Sequence, residues 1–575
     1  MRNNKFKFLS YLLVFVLISI LFTACGDTGS KETESTTGAV TTGQSSVATT
    51  TGVEEKKIDP LGKYEPGIEL TFVRNNDSVQ FSGNDSFDNN VWTQTLEKDL
   101  GIKLKHLWVA ATTDVWAQKL NIAITTNDIP DFIVTTSAIE FKRLTDAGLL
   151  ADVTEVYNNY KLPLLHEILS AAGDIPFKSA IIDGKMMGLP ISGSVSDKCP
   201  VLWARKDWLT KLNLPEPKTI DDVLAISKAF TEKDPDGNNK NDTYGLAVNK
   251  DLYQKVGGNL SGFFNCFHAY VYEEYGYWLK DSTGKLVCGA VQPQVKAALQ
   301  KLQELYAAGQ IDREFGVKDE TKIHEMMNAG TIGMTFGPMY TSLRLNDSLK
   351  IDPNADWRPY PLVSIDNEKG MPQSSVAVNN YIVVSKNAKN PEAVIKLFNY
   401  WCETRFGESC TPEVFEKLCR NKDGVQIFKY FPYVLGRPDQ NLVTHREIMK
   451  ALETKDISKM NPGIMDSYKK VDSYLNNGDV TNYGIARVFG PGGSQSVLQG
   501  YVDRGLIKIS EFYGNPTPTI AEKWSTLKDM QLQTFTRIIM GDAPISEFDK
   551  FVSDWEKTGG EQITKEVNEW YAAQK

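Results

Sequence analysis

The stretch Asn127-Asp-Ile-Pro-Asp-Phe-Ile-Val134 contains the pattern that decides the fold class. The apolar run after Asp131 is typical of a buried strand, and the alternating residues 102–108 predict another strand. Apolar residues recur at helical spacing in residues 295–306 and 390–401. Because strand and helix patterns alternate in this way towards the C-terminus, the sequence predicts an α/β fold with mostly parallel sheets.

Composition narrows the functional class. The chain has 575 residues, of which 41% are hydrophobic and 23% are charged, so neither wholesale disorder nor a multi-span membrane protein fits. Its 72 acidic and 63 basic residues leave a net charge of −9, whereas a nucleic-acid-binding protein would normally carry a basic excess. Five histidines offer little material for zinc chemistry or histidine-based catalysis. The composition, the net charge and the small number of histidines together favour an extracellular ligand-binding protein over an enzyme.

The N-terminus predicts a secretion signal. Basic residues are followed by the apolar run 8–22, which is too short to span a bilayer comfortably, and then by Thr23, Ala24 and Cys25. This order resembles the lipobox of bacterial lipoproteins, with Phe22 at the usual leucine position. We therefore expect a signal peptide over residues 1–24 and lipidation of Cys25. An ordinary cleaved signal with an incidental cysteine is the alternative.

A polar segment follows the signal. Residues 26–58 contain almost no large apolar side chain, so residues 25–58 are expected to form a lipidated, flexible tether. The protein would then be held by the lipid on Cys25 at the extracellular face of the bacterial cytoplasmic membrane.

Six further cysteines lie in the folded part of the chain. An even number permits disulfides, buried free thiols are the alternative, and the absence of a C-x-x-C motif argues against a metal cluster. They are Cys199, Cys266, Cys288, Cys402, Cys410 and Cys419.

Motifs of common enzymes are missing from the sequence. No Gly-Lys pair is followed by Ser or Thr, so there is no P-loop, and no serine lies in a G-x-S-x-G motif. The segment His324–Asn328 begins like a zincin helix but lacks the second histidine. We therefore expect no catalytic residues, although a carboxylate pair for glycoside hydrolysis can be identified only by geometry.

One acidic loop has the spacing of a calcium site. In Asp234-Pro-Asp-Gly-Asn-Asn-Lys-Asn-Asp-Thr-Tyr-Gly245, oxygen ligands stand at positions 1, 3, 5 and 9, and a backbone carbonyl is available at position 7. Gly245 occupies the place of the bidentate glutamate, so a complete EF-hand is rejected. A structural Ca²⁺ completed by water or a distant residue is expected, and a solvated turn is the alternative. The predicted ligands are Asp234, Asp236, Asn238, Lys240 through its carbonyl, and Asp242.

Several aromatic residues stand in polar or turn contexts rather than in helical stripes. Flat rings with polar edges suit the apolar faces of sugars, while core packing is the alternative for each one. They include Trp92, Trp116, Trp203, Tyr270, Tyr275, Tyr340 and Trp357.

Taken in order, a series of segments resembles bacterial extracellular solute-binding protein family 1. Within it, the chain is most similar to large LplA-type lipoproteins and to alginate-binding proteins of oligosaccharide ABC importers. Relatives with a similar acidic loop bind calcium but carry a glutamate at the position of Thr243. The segments are 127–134, 144–152, 184–190, 203–212, 217–219, 330–338 and 390–397.

The resemblance implies a two-lobed, type II periplasmic-binding-protein-like fold with several hinge crossings. The N-terminal lobe would hold residues 59–188 and 374–434, and the C-terminal lobe residues 189–373 and 435–575 with calcium loop 234–243. A ligand would bind in the cleft between the lobes. The candidate ligand-binding residues are Trp92, Thr135, Ser137, Ser192, Trp203, Arg205, Tyr340 and Tyr381.

The function implied is that of a lipid-anchored, monomeric receptor that captures oligosaccharides and delivers them to the permease subunits of an ABC importer. Three alternatives stay open: the same role for a peptide or other solute, a surface carbohydrate-binding or adhesion lipoprotein, and a secreted polysaccharide-processing enzyme.

Overall fold

A computed structural model describes residues 58–76, 79–81, 83–253, 256–271, 274–366, 368–376 and 378–574. The predicted signal peptide, Cys25 and all of the tether before Ile58 lie outside these ranges. Within them, no helix combines the length and the apolar character that a membrane span requires.

The described residues form fifteen strands. They are β1 Ile68–Asn75, β2 Ile102–Ala110, β3 Phe132–Val134, β4 Ile181–Ile182, β5 Lys185–Met186, β6 Leu189–Ser192, β7 Val201–Arg205, β8 Tyr244–Leu246, β9 Trp278–Lys280, β10 Leu286–Cys288, β11 Ile332–Gly337, β12 Trp357–Tyr360, β13 Gln373–Ser374, β14 Val378–Val384 and β15 Lys508–Ile509.

Helices surround these strands in the described ranges. The α-helices are α1 Val91–Leu100, α2 Thr113–Thr126, α3 Ala138–Asp146, α4 Thr154–Tyr160, α5 Pro163–Ser170, α6 Ile175–Ala180, α7 Lys206–Lys211, α8 Ile220–Glu232, α9 Ser261–Cys266, α10 Pro293–Ala307, α11 Glu320–Asn328, α12 Ser348–Ile351, α13 Glu392–Phe406, α14 Pro412–Leu418, α15 Gln440–Thr454, α16 Pro462–Asn477, α17 Tyr483–Phe489, α18 Ser494–Asp503, α19 Pro518–Met540, α20 Glu547–Trp555 and α21 Glu561–Ala573. Short 3₁₀ turns at Ser196–Lys198 and Met339–Arg344 border the site described below.

The first large sheet has the strand order β2-β1-β3-β14-β6. β1 runs parallel to β2 and β3, and β14 runs antiparallel to β3 and β6. The strand predicted after Asp131 is confirmed as β3, and residues 102–108 lie in β2. Apolar cores cover both faces of this sheet, one of them built largely on α13.

The second large sheet has the order β12-β7-β11-β8. Here β11 is antiparallel to β7 and parallel to β8, and β12 is antiparallel to β7. The expectation of mostly parallel sheets is therefore wrong, whereas the α/β class is confirmed. The chain enters β7 and β14 after passing from the other sheet, not through a βαβ crossover within the same sheet. Because only such a crossover requires the two strands to be parallel, β7 and β14 can be antiparallel to their neighbours.

The chain passes between the two sheets and their cores more than once. It leaves the first sheet after Ser192 and enters the second at Val201, and it returns between Tyr360 and Val378. A third passage runs from Leu435, in the first core, to Leu442, in the second core. β6 pairs in the first sheet although the predicted lobe boundary lies just before it, at residues 188 and 189. The exact lobe boundaries stay a prediction.

The start of the described chain is fastened to α13. The Lys396 ammonium donates a hydrogen bond to the Gly62 carbonyl at 2.7 Å and lies 4.6 Å from the centre of the Tyr64 ring. The Tyr64 hydroxyl donates to Glu392 at 2.8 Å. These contacts attach residues 60–64 to the first core.

Strand β11 is packed so closely that one of its positions accepts only glycine. All six residues of β11 are buried, and a β-carbon on Gly333 would overlap the ring of Phe230 and approach that of Trp208. We expect Gly333→Ala to lower the free energy of unfolding by about 1–3 kcal/mol, because an overpacked core must shift to relieve the clash.

Denaturant unfolding of purified protein measures this effect. Gly436→Ala is the matched control, because Gly436 is exposed and has open space where its β-carbon would lie. The control should change the unfolding free energy by less than about 0.5 kcal/mol. Equal effects of the two substitutions would contradict the packing argument.

Candidate functional site

A cavity of about 400 Å³ lies where two of the chain passages meet the second sheet. We call it the hinge cavity. It is lined by Asp197, Lys198, Pro200, Tyr253, Val256, Asn259, Ser261, Gly337, Pro338, Tyr340, Gln373, Ser374 and Ser375. Residues 197–200 belong to the first passage and residues 373–375 to the second, so the cavity borders the segments that join the two sheets.

The turn after β11 supplies one wall of the hinge cavity. The Trp203 indole N–H donates to the Pro338 carbonyl at 3.3 Å, and the Thr341 hydroxyl donates to the same carbonyl at 2.8 Å. A β-carbon on Gly337 would lie 2.5 Å from the Thr341 hydroxyl oxygen, so glycine permits this tight turn. The turn presents Tyr340, whose side chain is 38% exposed.

Burial raises the pKa of the Tyr340 hydroxyl, and the nearby Glu320 carboxylate adds to the shift. The phenol is therefore neutral at physiological pH. It combines a flat apolar ring with a hydroxyl that can donate or accept a hydrogen bond.

The opposite wall is polar. The Lys198 ammonium donates to the Ser375 hydroxyl at 3.2 Å. Asp197 accepts hydrogen bonds from the side chains of Asn441 at 2.8 Å and Gln495 at 3.1 Å, which ties the wall to α15 and α18. The lining thus combines hydroxyl, amide and charged groups with the Tyr253 and Tyr340 rings, a set that suits a polar organic ligand.

Four of the predicted ligand-binding residues lie at one edge of the first sheet. The Tyr381 N–H donates to the Thr135 hydroxyl, and the Thr135 N–H donates to the Tyr381 carbonyl, both at 2.9 Å. Ser137 caps α3 by accepting from the Glu140 N–H at 3.3 Å. Ser192, at the end of β6, has a buried hydroxyl oxygen without a hydrogen-bond partner.

Tyr381 lines a second cavity, of about 250 Å³, which is separate from the hinge cavity. Its ring stacks on Phe141 with 4.0 Å between centroids, and its hydroxyl donates to Ser179 at 2.9 Å. Tyr513 and Trp570, from the C-terminal part of the chain, line the same cavity. The structure therefore places Tyr340 and Tyr381 in different cavities.

Two predicted aromatic residues are core residues in the structure. Trp92 is fully buried, donates its indole N–H to the Leu418 carbonyl at 2.9 Å and packs on Trp401 and Phe431. Trp203 is also fully buried and supports the β11 turn from below. Neither ring has an exposed face with which to contact a ligand.

Arg205 is part of a buried ion-pair network. Its guanidinium binds Asp207 through two hydrogen bonds of 2.8 and 2.6 Å and Asp352 through one of 2.6 Å. Gly337 pairs with Val201, at the other end of β7, so Arg205 lies about 13 Å along the strand from the β11 turn. Its guanidinium therefore stabilises the end of β7 and does not line the hinge cavity.

The acidic loop brings its carboxylates together around Asn238. The Asn238 amide nitrogen donates to Asp236 at 2.7 Å and to both carboxylate oxygens of Asp242 at 3.1 and 3.3 Å. Asp234 accepts from the backbone N–H groups of Gly237, Asn238 and Asn239. Burial, with the Asp234 and Asp242 carboxylates nearby, raises the pKa of Asp236.

The Thr243 hydroxyl donates to the Phe230 carbonyl at 2.7 Å and is buried, so it does not reach into the acidic loop. Across the described residues, no group of three or more carboxylate, imidazole or thiol side chains is arranged as a ready metal shell. One Asp236 oxygen and both Asp242 oxygens nevertheless surround the amide nitrogen of Asn238. If the Asn238 amide rotated so that its oxygen pointed inward, these oxygens would suit a hard cation.

Sequence reasoning missed most of the hinge cavity. Asp197, Lys198 and Tyr253 stand in segments without a recognisable motif, and Gln373–Ser375 give only a short polar run. These residues lie together because the chain crosses between the sheets, and no local sequence pattern predicts where it crosses.

A family model described as "Bacterial extracellular solute-binding protein" matches residues 81–403, more than half of the chain. The chain belongs to the bacterial extracellular solute-binding protein family. Members of this family bind solutes and are not enzymes, which confirms the resemblance and the non-enzymatic expectation.

Individual relatives extend the match beyond the family model. The chain is 26% identical over 486 residues to the polygalacturonan/rhamnogalacturonan-binding protein YtcQ of Bacillus subtilis, covering 82% of this chain and 86% of that protein. It is 25% identical to lipoprotein LipO of the same organism, covering 84% of this chain and 89% of LipO.

A crystal structure of an extracellular solute-binding protein from Bifidobacterium longum subsp. infantis has the same fold. It is 14% identical with a TM-score of 0.57, covering 89% of this chain and 99% of that one. The chain described here therefore has the two-lobed type II periplasmic-binding-protein fold that the family resemblance implies.

Proposed function

We propose that this solute-binding protein is the lipid-anchored receptor of an ABC importer for oligosaccharides. The observation that carries the proposal is the hinge cavity, where tyrosine rings face hydroxyl and amide groups beside the segments that connect the two sheets. An oligosaccharide presents apolar ring faces and many hydroxyls, so it matches both kinds of lining group. Asp197 and Lys198 bring one charge of each sign, so the lining does not select for an acidic or a neutral sugar.

The relatives support a sugar ligand over a peptide. YtcQ is named for binding two pectic polysaccharides, and FusA of Streptococcus pneumoniae, 26% identical over 236 residues, is named as the substrate-binding protein of a fructooligosaccharide ABC transporter. That alignment covers 38% of this chain and 41% of FusA.

In the proposed cycle, the two lobes close on the sugar and the permease subunits recognise the closed state. A ligand that contacts both sides of the cavity binds the closed state more tightly, so it shifts the population towards that state. ATP hydrolysis would belong to other subunits, in keeping with the missing P-loop. The lipid on Cys25 would hold the receptor near the permease, a role for which the name of LipO gives support.

We also propose that the acidic loop binds one structural Ca²⁺. Asp234, Asp236, Asn238, the Lys240 carbonyl and Asp242 would hold it, with water completing the shell because Thr243 points elsewhere. Bound Ca²⁺ would relieve the repulsion among the three carboxylates and fix the loop after α8.

Ligand titration tests the importer role. With Ca²⁺ present, the chain from Ile58 onward is titrated with pectic, fructan and other plant and bacterial oligosaccharides, followed by tryptophan fluorescence and calorimetry. We expect saturable one-to-one binding of an intact sugar. Tyr340→Ala should weaken it about tenfold or more, equivalent to about 1.4 kcal/mol, because the exposed ring is lost.

Two further variants separate local from general effects. Tyr340→Phe retains the ring, and Tyr468→Ala removes a half-buried tyrosine on α16 that lines neither cavity, so both should bind nearly as well as the wild type. Binding of peptides but of no sugar, or equal loss in all three variants, would refute the assignment.

Calcium removal tests the second proposal. Chelation with EDTA should lower the melting temperature and leave the choice of sugar unchanged, because no residue of the acidic loop lines the hinge cavity. Asp236→Asn should melt lower in Ca²⁺ and should lose its response to EDTA.

Asp281→Asn is the matched control, since Asp281 also accepts hydrogen bonds from its own turn, from Thr283 and Lys285. This variant should keep the wild-type response to EDTA. An identical wild-type melting curve with and without EDTA would rule out the calcium site.

A further inference from the structure

A histidine of α11 lies against a loop that lines the hinge cavity. His324 stands in the middle of α11. A β-carbon on Gly257 would lie 2.9 Å from the His324 Nε2 atom and 3.1 Å from both carbons bonded to that nitrogen. The imidazole therefore lies directly against the Gly257 backbone. Val256, immediately before this glycine, and Asn259, two residues after it, both line the hinge cavity.

The imidazole acts at this contact through its shape. Its buried Nε2 atom has no hydrogen-bond partner among the described residues. Burial lowers the pKa of His324, so the ring is neutral at physiological pH. Leaving a buried nitrogen unpaired costs stability, so a hydrogen bond at Nε2 does not explain the place of the ring. What the ring supplies to the loop is packing against the backbone of Gly257.

The same loop is also attached to the second sheet. The Asn249 side-chain amide donates to the Gly257 carbonyl, and the Gly258 N–H donates to the Thr335 hydroxyl of β11 at 3.3 Å. A β-carbon on Gly258 would lie 2.8 Å from the Asn249 backbone nitrogen. Two successive glycines thus let the loop contact both β11 and α11 through its backbone.

Asn259 connects this backbone to other residues that line the hinge cavity. Its side-chain amide donates to the Tyr253 carbonyl at 2.9 Å, and its side-chain oxygen accepts from the Ser261 N–H at 2.7 Å. Asn259 also forms an isolated β-bridge with Phe336 of β11. Tyr253, Asn259 and Ser261 all line the hinge cavity. A shift of Gly257 would therefore displace Asn259 and, through its amide, Tyr253.

We propose that His324 is a positioning residue for the hinge cavity, whose ring supports the backbone at Gly257 and so holds Asn259 and Tyr253 in place for the ligand. The ring itself is not part of the cavity lining, so it acts through the loop. This inference rests on the proposed binding of a sugar in the hinge cavity. Without the ring, the loop can move into the vacated space, and binding must then order it again, which lowers affinity.

Titration of His324 variants with the sugar that binds the wild type most tightly tests the proposal. His324→Ala should weaken binding about threefold to tenfold, because the loop loses its support from α11. His324→Phe keeps a flat ring at the same place and should bind within about twofold of the wild type. Rescue by phenylalanine separates support by shape from a contact made by the imidazole nitrogens. Melting curves without sugar establish that each variant is folded.

A double-mutant cycle tests the contact between the ring and the loop. Gly257→Ala directs a methyl group into the imidazole and should also weaken binding; alanine adds no backbone strain there, because Gly257 does not have a positive φ. In the double variant Gly257→Ala/His324→Ala, the methyl group enters space that the ring has left. The double variant should therefore bind more tightly than the product of the two single effects predicts. Gly436→Ala combined with His324→Ala is the matched control, and its effects should multiply, since Gly436 has open space at its β-carbon.

The outcomes distinguish this inference from the proposed function. If the wild type bound no sugar, the proposed function and this inference would both be overturned. If the wild type bound a sugar and His324→Ala bound it equally well, or if the effects of Gly257→Ala and His324→Ala simply multiplied, only this inference would be overturned. Should His324→Ala fail to fold, Gly257→Ala decides, because unchanged binding by that variant contradicts the positioning role.

Discussion

Burial of β11 on both faces is the constraint on which the candidate site depends. Gly333 lets the rings of Phe230 and Trp208 lie against the strand, and Gly337 lets the chain turn beneath Thr341. Because neither face of β11 can move independently of the second core, the turn that follows has a fixed place. The indole of Trp203 then holds the Pro338 carbonyl, and Tyr340 is presented to the hinge cavity from a rigid support.

The opposite side of the hinge cavity is built differently. Its residues belong to segments that connect the sheets, and their side chains are held by polar contacts, such as the hydrogen bond between Lys198 and Ser375. Further back, the Tyr277 hydroxyl donates to the carbonyls of Ser374 and Lys508, joining β13 and β15. One wall is thus fixed by the core, and the facing wall is fixed by polar contacts between passages. This division is compatible with the lobe closure proposed above.

Local patterns were sufficient to predict the class of fold and several of its elements. The strand after Asp131 and the helices over residues 295–306 and 390–401 follow from periodicity, because one face of each must be buried. The direction and pairing of the strands were harder to predict. Alternation of strands and helices predicts parallel neighbours, but β7 is antiparallel to β11 and β14 is antiparallel to β3. Periodicity reports which face of a strand is buried but not which neighbour it meets.

The candidate site was predicted only in part, and the reason is physical. Tyr340 could be found because a turn with glycine and proline exposes the ring that follows it. Trp92 stands in similarly polar sequence, whereas Trp203 follows the apolar pair Val201 and Leu202. Both rings are enclosed by distant residues, including Trp401 and Pro338. The acidic loop is contiguous, so its oxygens could be counted from spacing, whereas the hinge cavity gathers four separate segments.

The attachment of residues 60–64 to α13 has a mechanical consequence. A pull exerted on the chain at Ile58 would pass through the contacts of Gly62 with Lys396 and of Tyr64 with Glu392 into α13, which lies in the first core. The second core lies outside this load path. Under the proposed lipid anchoring, a pull on the tether would therefore act on the first core and not on the proposed movement of the second core about the passages.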